Sequence, residues 1–138
     1  MRYNQKWFLE AKVYMKLVKC ANAPEAIGPY SHAVKVGNCI YTSGQIPVNP
    51  VTGTVPATIE EQTHQSMKNV KAILECEGYS LKDVVKTTVF ISDINDFAKI
   101  NKVYESYFNE HKPARSCVQV AKLPRNVGLE IEAIAVKE

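Results

Sequence analysis

The chain has 138 residues and a formal net charge of +3, with 46% hydrophobic and 22% charged residues. These values fit one globular domain with its own core. No apolar run approaches the ~20 residues of a membrane-spanning helix, so the sequence excludes a membrane span. Acidic and basic residues are interspersed rather than gathered into the basic run typical of nucleic-acid binders, so the charge does not support a nucleic-acid partner.

The N-terminal segment differs in character from the rest of the chain. Residues 1–14 hold aromatic residues, among them Trp7, Phe8 and Tyr14, together with polar ones, and Met15 opens a plausible second start. The acidic Glu10 and the scarcity of arginine do not fit a mitochondrial presequence. We interpret residues 1–14 as an N-terminal extension or an upstream start, and residues 15–138 as a single domain.

The four cysteines are widely and irregularly spaced, at positions 20, 39, 76 and 117. They form no C-x-x-C pair and no zinc-type Cys/His set. Cys39 and Cys117 lie in apolar, strand-like runs, where a free cysteine behaves as a small hydrophobic residue. With no signal peptide visible in the sequence, a reducing cytoplasm is the expected compartment.

The first half of the domain predicts a hairpin followed by a helix. Two strand-like runs, 33–36 and 39–43, flank Gly37, and glycine at the first central position suits a type II′ turn. A loop with three prolines follows. A helix over 58–77 is indicated by a capping-box signature at its start and by Gly78 after its end.

The second half predicts a strand, a second helix and two further strands. β-Branched residues indicate a strand over 84–91. Apolar residues at helical spacing over 94–108 indicate a helix, which Pro113 bars from continuing. Strands over 116–120 and 129–136 complete the chain. The order is β-β-α-β-α-β-β, for which we expect an α+β fold with both helices on one face of a mixed sheet.

Arg115 is the first candidate site residue. It opens a strand of small and apolar residues, and strand alternation places it on the same face as Cys117. A guanidinium beside a small thiol can form the floor of an anion pocket, because arginine binds carboxylates in bidentate fashion. The alternative is a surface arginine that pairs with an acid.

Glu130 is the second candidate. It lies inside a largely apolar final strand, where an unpartnered carboxylate costs free energy. Such a group could hold a water against an electrophilic carbon or move its proton. The alternative is a half-exposed strand with Glu130 and Glu132 in water.

Tyr30, Ser43 and Gly44 are weaker candidates. Gly28-Pro29 forces a turn that would hold the Tyr30 ring in place, although a buried tyrosine with a satisfied hydroxyl is the commoner outcome. Ser43 and Gly44 follow a strand, where the glycine permits close backbone approach to a ligand. The three histidines show no shared face and no metal-ligand spacing.

Six stretches occur in an order that is specific in combination, although none of them is specific alone. They are Asn22-Ala23-Pro24, Ile27-Gly28-Pro29-Tyr30, Thr42-Ser43-Gly44-Gln45-Ile46-Pro47, Val85-Lys86-Thr87-Thr88-Val89-Phe90, Pro113-Ala114-Arg115-Ser116-Cys117-Val118 and Glu130-Ile131-Glu132-Ala133-Ile134-Ala135. With them, the chain from about Ala21 to its C-terminus resembles the RidA/YjgF family of reactive-intermediate deaminases.

The resemblance implies a chorismate-mutase-like fold, a homotrimer with sites in the clefts between subunits, and no metal or organic cofactor. It also implies hydrolysis of 2-imino and 2-enamino acids, such as 2-iminobutanoate, 2-iminopropanoate and 2-aminoacrylate, to 2-keto acids and ammonia. In these terms Arg115 grips the substrate, Glu130 orients water and Tyr30 completes the catalytic set. The implied pocket-lining positions are Ser43, Gly44 and Cys117.

One departure from the family pattern concerns the link before Pro113. Family members commonly carry an aromatic or aliphatic residue directly before Pro-Ala-Arg, after a somewhat longer connection from the second helix. Here Lys112 stands there after a short link. A preference for acidic substrates, caused by this second cation at the pocket rim, is a hypothesis at this stage.

Two other functions stay open on the sequence. A ribonuclease, an activity also attributed to members of this family, would need phosphate contacts and a base, yet the sequence lacks a histidine pair, a metal cluster and a basic stripe with interleaved aromatics. A non-enzymatic protein that binds small carboxylates would use Arg115 equally well. Glu130 discriminates, because only a hydrolase needs it for turnover.

Overall fold

The computed structural model describes residues 14–138, so the predicted N-terminal extension lies outside the described residues except for Tyr14. The described chain forms a six-stranded sheet and two α-helices. In chain order the elements are β1 (Met15–Val18), β2 (Ala33–Val36), β3 (Cys39–Thr42), α1 (Ile59–Cys76), β4 (Val84–Ile91), α2 (Phe97–Tyr107), β5 (Ala114–Gln119) and β6 (Leu129–Val136).

The sheet is mixed, with strand order β1-β2-β3-β6-β4-β5. β4 and β5 run parallel, joined by the crossover through α2, and all other neighbouring strands are antiparallel. The final strand β6 inserts between β3 and β4 and therefore ties the two halves of the chain together. Both helices pack on one face of this sheet, which confirms the predicted α+β architecture.

The core lies between that face and the helices. Along β6 every second residue is buried, beginning with Leu129 and Ile131, while the residues between them are half-buried. Met67, Ile73 and Leu74 of α1 are fully buried against these strands. Buried residues recur at every second position of the strand and about every 3.6 positions of the helix, and the two sets of side chains pack together in one apolar layer.

The first helix begins and ends within one residue of its predicted bounds. The Thr58 hydroxyl accepts a hydrogen bond from the Glu61 amide at 3.2 Å, so one of the unpaired N-terminal N–H groups is satisfied. Gly78 follows the helix with φ of 75°, a conformation that favours glycine. The hairpin between β2 and β3 is also present, with Gly37 at φ of 59°.

β1 is the element that the sequence did not predict. It is four residues long, lies at the edge of the sheet and pairs only with β2 among the described strands. Three of its four residues are exposed, so its apolar residues do not mark a buried strand.

The other face of the sheet, called the open face below, is covered by no element of residues 14–138. Apolar side chains form cross-strand rows there because their backbones are paired in register. Tyr41 is 45% exposed and Leu17 is 63% exposed. The two rows are Leu17–Val34–Tyr41–Ile134 and Met15–Val36–Cys39–Val136.

Two of the four cysteines are covalently joined. A disulfide links Cys20, just after β1, to Cys76, the last residue of α1. Cys39 and Cys117 are free thiols in half-buried positions. Nothing in the cysteine spacing predicted this pairing.

Neither helix among the described residues combines the length and apolarity that a membrane crossing requires.

Candidate active site

Arg115 lies at the start of β5, under α2. Its Nη1 donates a hydrogen bond to Asn101 Oδ1 at 2.6 Å. The guanidinium carbon stands 4.9 Å from the Tyr104 ring centre and 5.6 Å from that of Phe97, a cation–π arrangement that orients the fork. Within residues 14–138 no carboxylate forms an ion pair with Arg115. The described residues therefore do not support the alternative interpretation, a surface arginine that pairs with an acid.

A cavity of about 300 Å³ opens beside this guanidinium. α2 supplies Asn101 and Tyr104 to its wall, and the link before β5 supplies Lys112. A volume of this order suits a small organic acid. The residues that line it carry one acid, Glu105, and two cations.

Cys117 is half-buried two residues beyond Arg115. Both side chains therefore lie on the same face of β5, as strand alternation predicted. Burial raises the pKa of the Cys117 thiol, while the neighbouring Arg115 acts in the opposite direction. The thiol accordingly lines this region as a small, neutral group.

Glu130 lies on the open face, between Leu129 and Ile131 of the core. Burial raises the pKa of its carboxyl, and the like charge of Glu132 on the same face raises it further. Its carboxylate rests against Gly44 so closely that a Cβ at residue 44 would overlap it. Gly44 therefore lets a polar side chain lie directly on the backbone, which is the close approach that glycine permits.

Tyr30 and Ser43 belong to the same region as Gly44. Tyr30 is 46% exposed, and its hydroxyl accepts a hydrogen bond from the Ile27 amide at 3.3 Å, so the ring folds back on the Gly-Pro turn. Tyr30 and Gly44 line a common pocket. The Ser43 hydroxyl donates to the Ser31 carbonyl at 2.6 Å, which holds the loop that carries Tyr30 against the end of β3.

The candidate residues fall into two groups on opposite faces of the sheet. Arg115 and Cys117 face α2, whereas Glu130 faces away from both helices. β4 lies between their strands, with Arg115 opposite Thr87 and Glu130 opposite Phe90. Two strand spacings of roughly 4.8 Å and the thickness of the sheet therefore separate them. Within one chain, a small ligand cannot contact both groups.

Comparison with known proteins identifies the family. The model of the endoribonuclease L-PSP family matches residues 20–137. The chain belongs to this family.

Named relatives agree with that assignment and with the RidA/YjgF resemblance. The 2-iminobutanoate/2-iminopropanoate deaminase of Escherichia coli K12 is 58% identical over 125 residues, which are 88% of this chain and 98% of the relative. The crystal structure of the E. coli YjgF gene product has a TM-score of 0.86 at 57% identity, covering 89% of this chain and 99% of that one. E. coli TdcF with bound serine has the same TM-score at 54% identity, covering 89% and 99%.

The structure of this L-PSP family member adds Asn101 to the candidate residues, which sequence reasoning missed. Its amide oxygen accepts the Arg115 hydrogen bond. The available signal was the position of Asn101 in α2, four residues after Phe97 and three before Tyr104. Residues at this spacing share one helix face.

The histidines of this family member hold structure together rather than forming a pair. The His32 ring accepts from the Cys20 amide at 2.8 Å and contacts the Pro24 carbonyl at 2.7 Å. His64 contacts the Tyr107 hydroxyl, and His111 contacts the Val84 carbonyl. In residues 14–138 no group of three or more His, Cys, Asp and Glu side chains is arranged to hold a metal ion.

Proposed function

We propose that this protein is an enzyme that hydrolyses 2-imino and 2-enamino acids to 2-keto acids and ammonia. Arg115 carries this proposal, because its guanidinium borders a cavity of about 300 Å³ and has no carboxylate partner within residues 14–138. Removing a buried or half-buried charge from water is costly unless a partner is gained. A substrate carboxylate supplies that partner. The deaminase names of the relatives support the same substrate class.

Arg115 binds the substrate carboxylate through the part of its fork that the protein leaves free. Asn101 accepts one N–H from Nη1, and a guanidinium has five. Two parallel N–H···O bonds fix the carboxylate and therefore the orientation of the neighbouring C=N carbon. Binding thus converts a random encounter with water into a positioned attack.

Glu130 acts on the water. The water oxygen attacks C2 of the imine while Glu130 takes one proton from it and passes this proton to nitrogen, which gives a carbinolamine. The hydroxyl proton of the carbinolamine then moves to nitrogen through Glu130 as the C–N bond breaks, and the 2-keto acid and ammonia leave. A 2-enamino acid first takes a proton on C3 and becomes the imine. The raised pKa of Glu130 makes it a stronger base than an exposed carboxylate once it is ionised.

This chemistry needs no metal or organic cofactor. An imine already hydrolyses in water, so orientation and general acid–base help of about 10²–10⁴-fold are sufficient. Tyr30, Ser43, Gly44 and Cys117 line the pocket in this scheme. We also place the protein in the cytoplasm, where 2-imino acids released by other enzymes would be met.

We propose that the complete site forms between copies in a homotrimer. Arg115 and Glu130 lie on opposite faces of their own sheet, so Arg115 of one copy must meet Glu130 of another. The open face suits such a contact, because its apolar rows leave Tyr41 45% and Leu17 63% exposed. Cyclic assembly repeats one contact around the ring and gives three equivalent sites.

The test couples the protein to a PLP-dependent dehydratase that releases 2-aminoacrylate or 2-iminobutanoate. We expect the wild type to speed ammonia release and Arg115→Ala to abolish the effect. Lys122→Ala, which removes an exposed cation elsewhere, serves as the control and keeps the activity. Equal ammonia release with and without wild-type protein would contradict the proposal.

The same assay separates the other two functions. A carboxylate-binding protein without turnover would bind a 2-keto acid in wild type and in Glu130→Gln, with no ammonia release from either. A ribonuclease would cleave RNA in a salt-sensitive manner and lose that activity in Arg115→Ala.

A further inference from the structure

The disulfide between Cys20 and Cys76 has two sulfurs in unequal surroundings. Cys20 is 2% exposed and belongs to the core, whereas Cys76 is exposed at the end of α1. An incoming thiolate can reach the Cys76 sulfur, while the Cys20 sulfur is shielded. Access of this kind decides which sulfur of a disulfide is attacked.

Cys20 begins the loop that carries Tyr30. The Cys20 amide donates to His32 Nδ1 at 2.8 Å, and His32 Nε2 contacts the Pro24 carbonyl at 2.7 Å. These two hydrogen bonds hold the loop to His32, and within the described chain the disulfide is the only covalent cross-link between residues 19–31 and α1. Breaking it leaves this loop held by hydrogen bonds and packing alone.

The reduced state is also accommodated. Cys20 Sγ lies 3.4 Å from the Ala72 carbonyl, so a free thiol would have an acceptor for its proton inside the core. Lys16 and Glu77 form an ion pair at 2.9 Å that joins β1 to the end of α1 independently of the disulfide. β1 can therefore stay in place while the loop after it is released.

We propose that Cys20–Cys76 is a thiol–disulfide exchange site at which a small thiol such as glutathione attacks Cys76, and that reduction loosens residues 19–31. The thiolate forms a mixed disulfide with Cys76 and displaces Cys20 as a thiolate, which takes a proton. A second thiol then attacks the mixed disulfide, releases Cys76 and leaves as oxidised glutathione. Two glutathione molecules are oxidised as one protein disulfide is reduced.

The site stays accessible in the proposed assembly. In that assembly the open face of one copy meets the β5 and α2 side of the next, where Arg115 lies. Cys76 is joined to Cys20 just after β1, at the opposite edge of the sheet from β5, so these contacts leave Cys76 in solvent. The ratio of oxidised to reduced Cys20–Cys76 would then be set by the thiol–disulfide reduction potential of the compartment.

Alkylation followed by mass spectrometry tests the exchange. In denaturant, the oxidised full-length protein should take two alkyl groups, on Cys39 and Cys117, and four after treatment with glutathione. With oxidised glutathione, Cys20→Ser should form a mixed disulfide on Cys76, with release of one glutathione thiolate, at least about tenfold faster than Cys76→Ser forms one on Cys20, because the latter is buried. Four alkyl groups before reduction, or equal adduct rates, would overturn the proposal.

Amide hydrogen exchange tests the effect on the loop. We expect residues 19–31 to exchange faster in the reduced than in the oxidised wild-type protein, with β4 and β6 unchanged. Cys39→Ser, which lacks one of the two free thiols but keeps the Cys20–Cys76 pair, should show the same difference. Unchanged exchange over 19–31 would refute the loosening. The role of Tyr30 rests on the proposed function, but the hydrogen-exchange measurement does not. A failed deaminase assay would therefore not contradict the proposed loosening of residues 19–31.

Discussion

The Glu130 carboxylate lies over Gly44, in the space that a Cβ at residue 44 would need. A side chain there can be accommodated only if Glu130 moves, and the atoms it would meet belong to the far end of that flexible side chain. The contact therefore constrains the position of a carboxylate more than it constrains the backbone. It ties a glycine of the loop after β3 to the chemistry proposed for β6.

Gly44→Ala should displace Glu130 with little effect on folding. We expect kcat to fall by about 100-fold, within the range that general acid–base help contributes, with a loss of unfolding free energy near 1 kcal/mol. Steady-state kinetics and thermal unfolding measure the two effects. In a Glu130→Gln background the same substitution should cost little more, since both changes remove one function. Full additivity in the double variant would refute this explanation.

The pH dependence of kcat/KM should depend on Glu132. Burial and the Glu132 charge both raise the pKa of Glu130, and the base must be ionised to act, so activity falls as pH drops through that pKa. Glu132→Gln removes a like charge, favours the ionised form and lowers the pKa of Glu130. The acid limb should therefore move to lower pH in Glu132→Gln and stay in place in Glu61→Gln, which changes an exposed residue on α1. An unmoved limb in Glu132→Gln contradicts the assignment of the base.

Asn101 should act on substrate binding through Arg115. Its hydrogen bond to Nη1 spans 2.6 Å, and a hydrogen bond to a charged group contributes about 1.5–3 kcal/mol. We expect Asn101→Ala to raise KM by about tenfold, because the guanidinium loses one of its supports.

Asn101→Asp offers a sharper comparison. A carboxylate at this position would pair with Arg115 and compete with the substrate, so KM should rise further than in Asn101→Ala while the fold is kept. A KM in Asn101→Asp equal to or below that of Asn101→Ala would mean that Arg115 does not bind the substrate carboxylate.

Assembly should depend on the open face. Tyr41→Glu places a charge in the middle of an apolar row and should convert a particle of about three times the 15.4 kDa chain mass into smaller species. Val51→Glu, at a position that is 91% exposed on a loop, should leave the mass unchanged. Light scattering after size exclusion measures both; a full-sized Tyr41→Glu particle would place the contact elsewhere.

Much of the fold could be predicted because its signals are local. The cap at Thr58 and the stop at Gly78 lie at the ends of the helix they define, and the alternation in β6 is contained within eight residues. β1 was missed because its four residues become a strand only through pairing with β2, whose partner residues lie up to about twenty positions away.

The site was predictable residue by residue but not as an arrangement. The chemistry of Arg115 and Glu130 can be predicted from their positions in apolar strands. The contact between Gly44 and Glu130 could not be predicted in this way, because it joins residues far apart in sequence. The same holds for Cys20 and Cys76, which are 56 positions apart. Arg115 and Glu130 lie on opposite faces because β6 inserts beside β4, and no local sequence pattern predicts this strand order.

Subunit mixing tests the shared site most directly. Arg115→Ala and Glu130→Ala are each expected to be inactive, yet equal amounts unfolded and refolded together should recover about one quarter of wild-type activity, because random cyclic assembly pairs an intact Arg115 with an intact Glu130 at that fraction of sites. Each variant refolded alone provides the baseline. Mixed assemblies that form but recover no activity would contradict a site built from two copies.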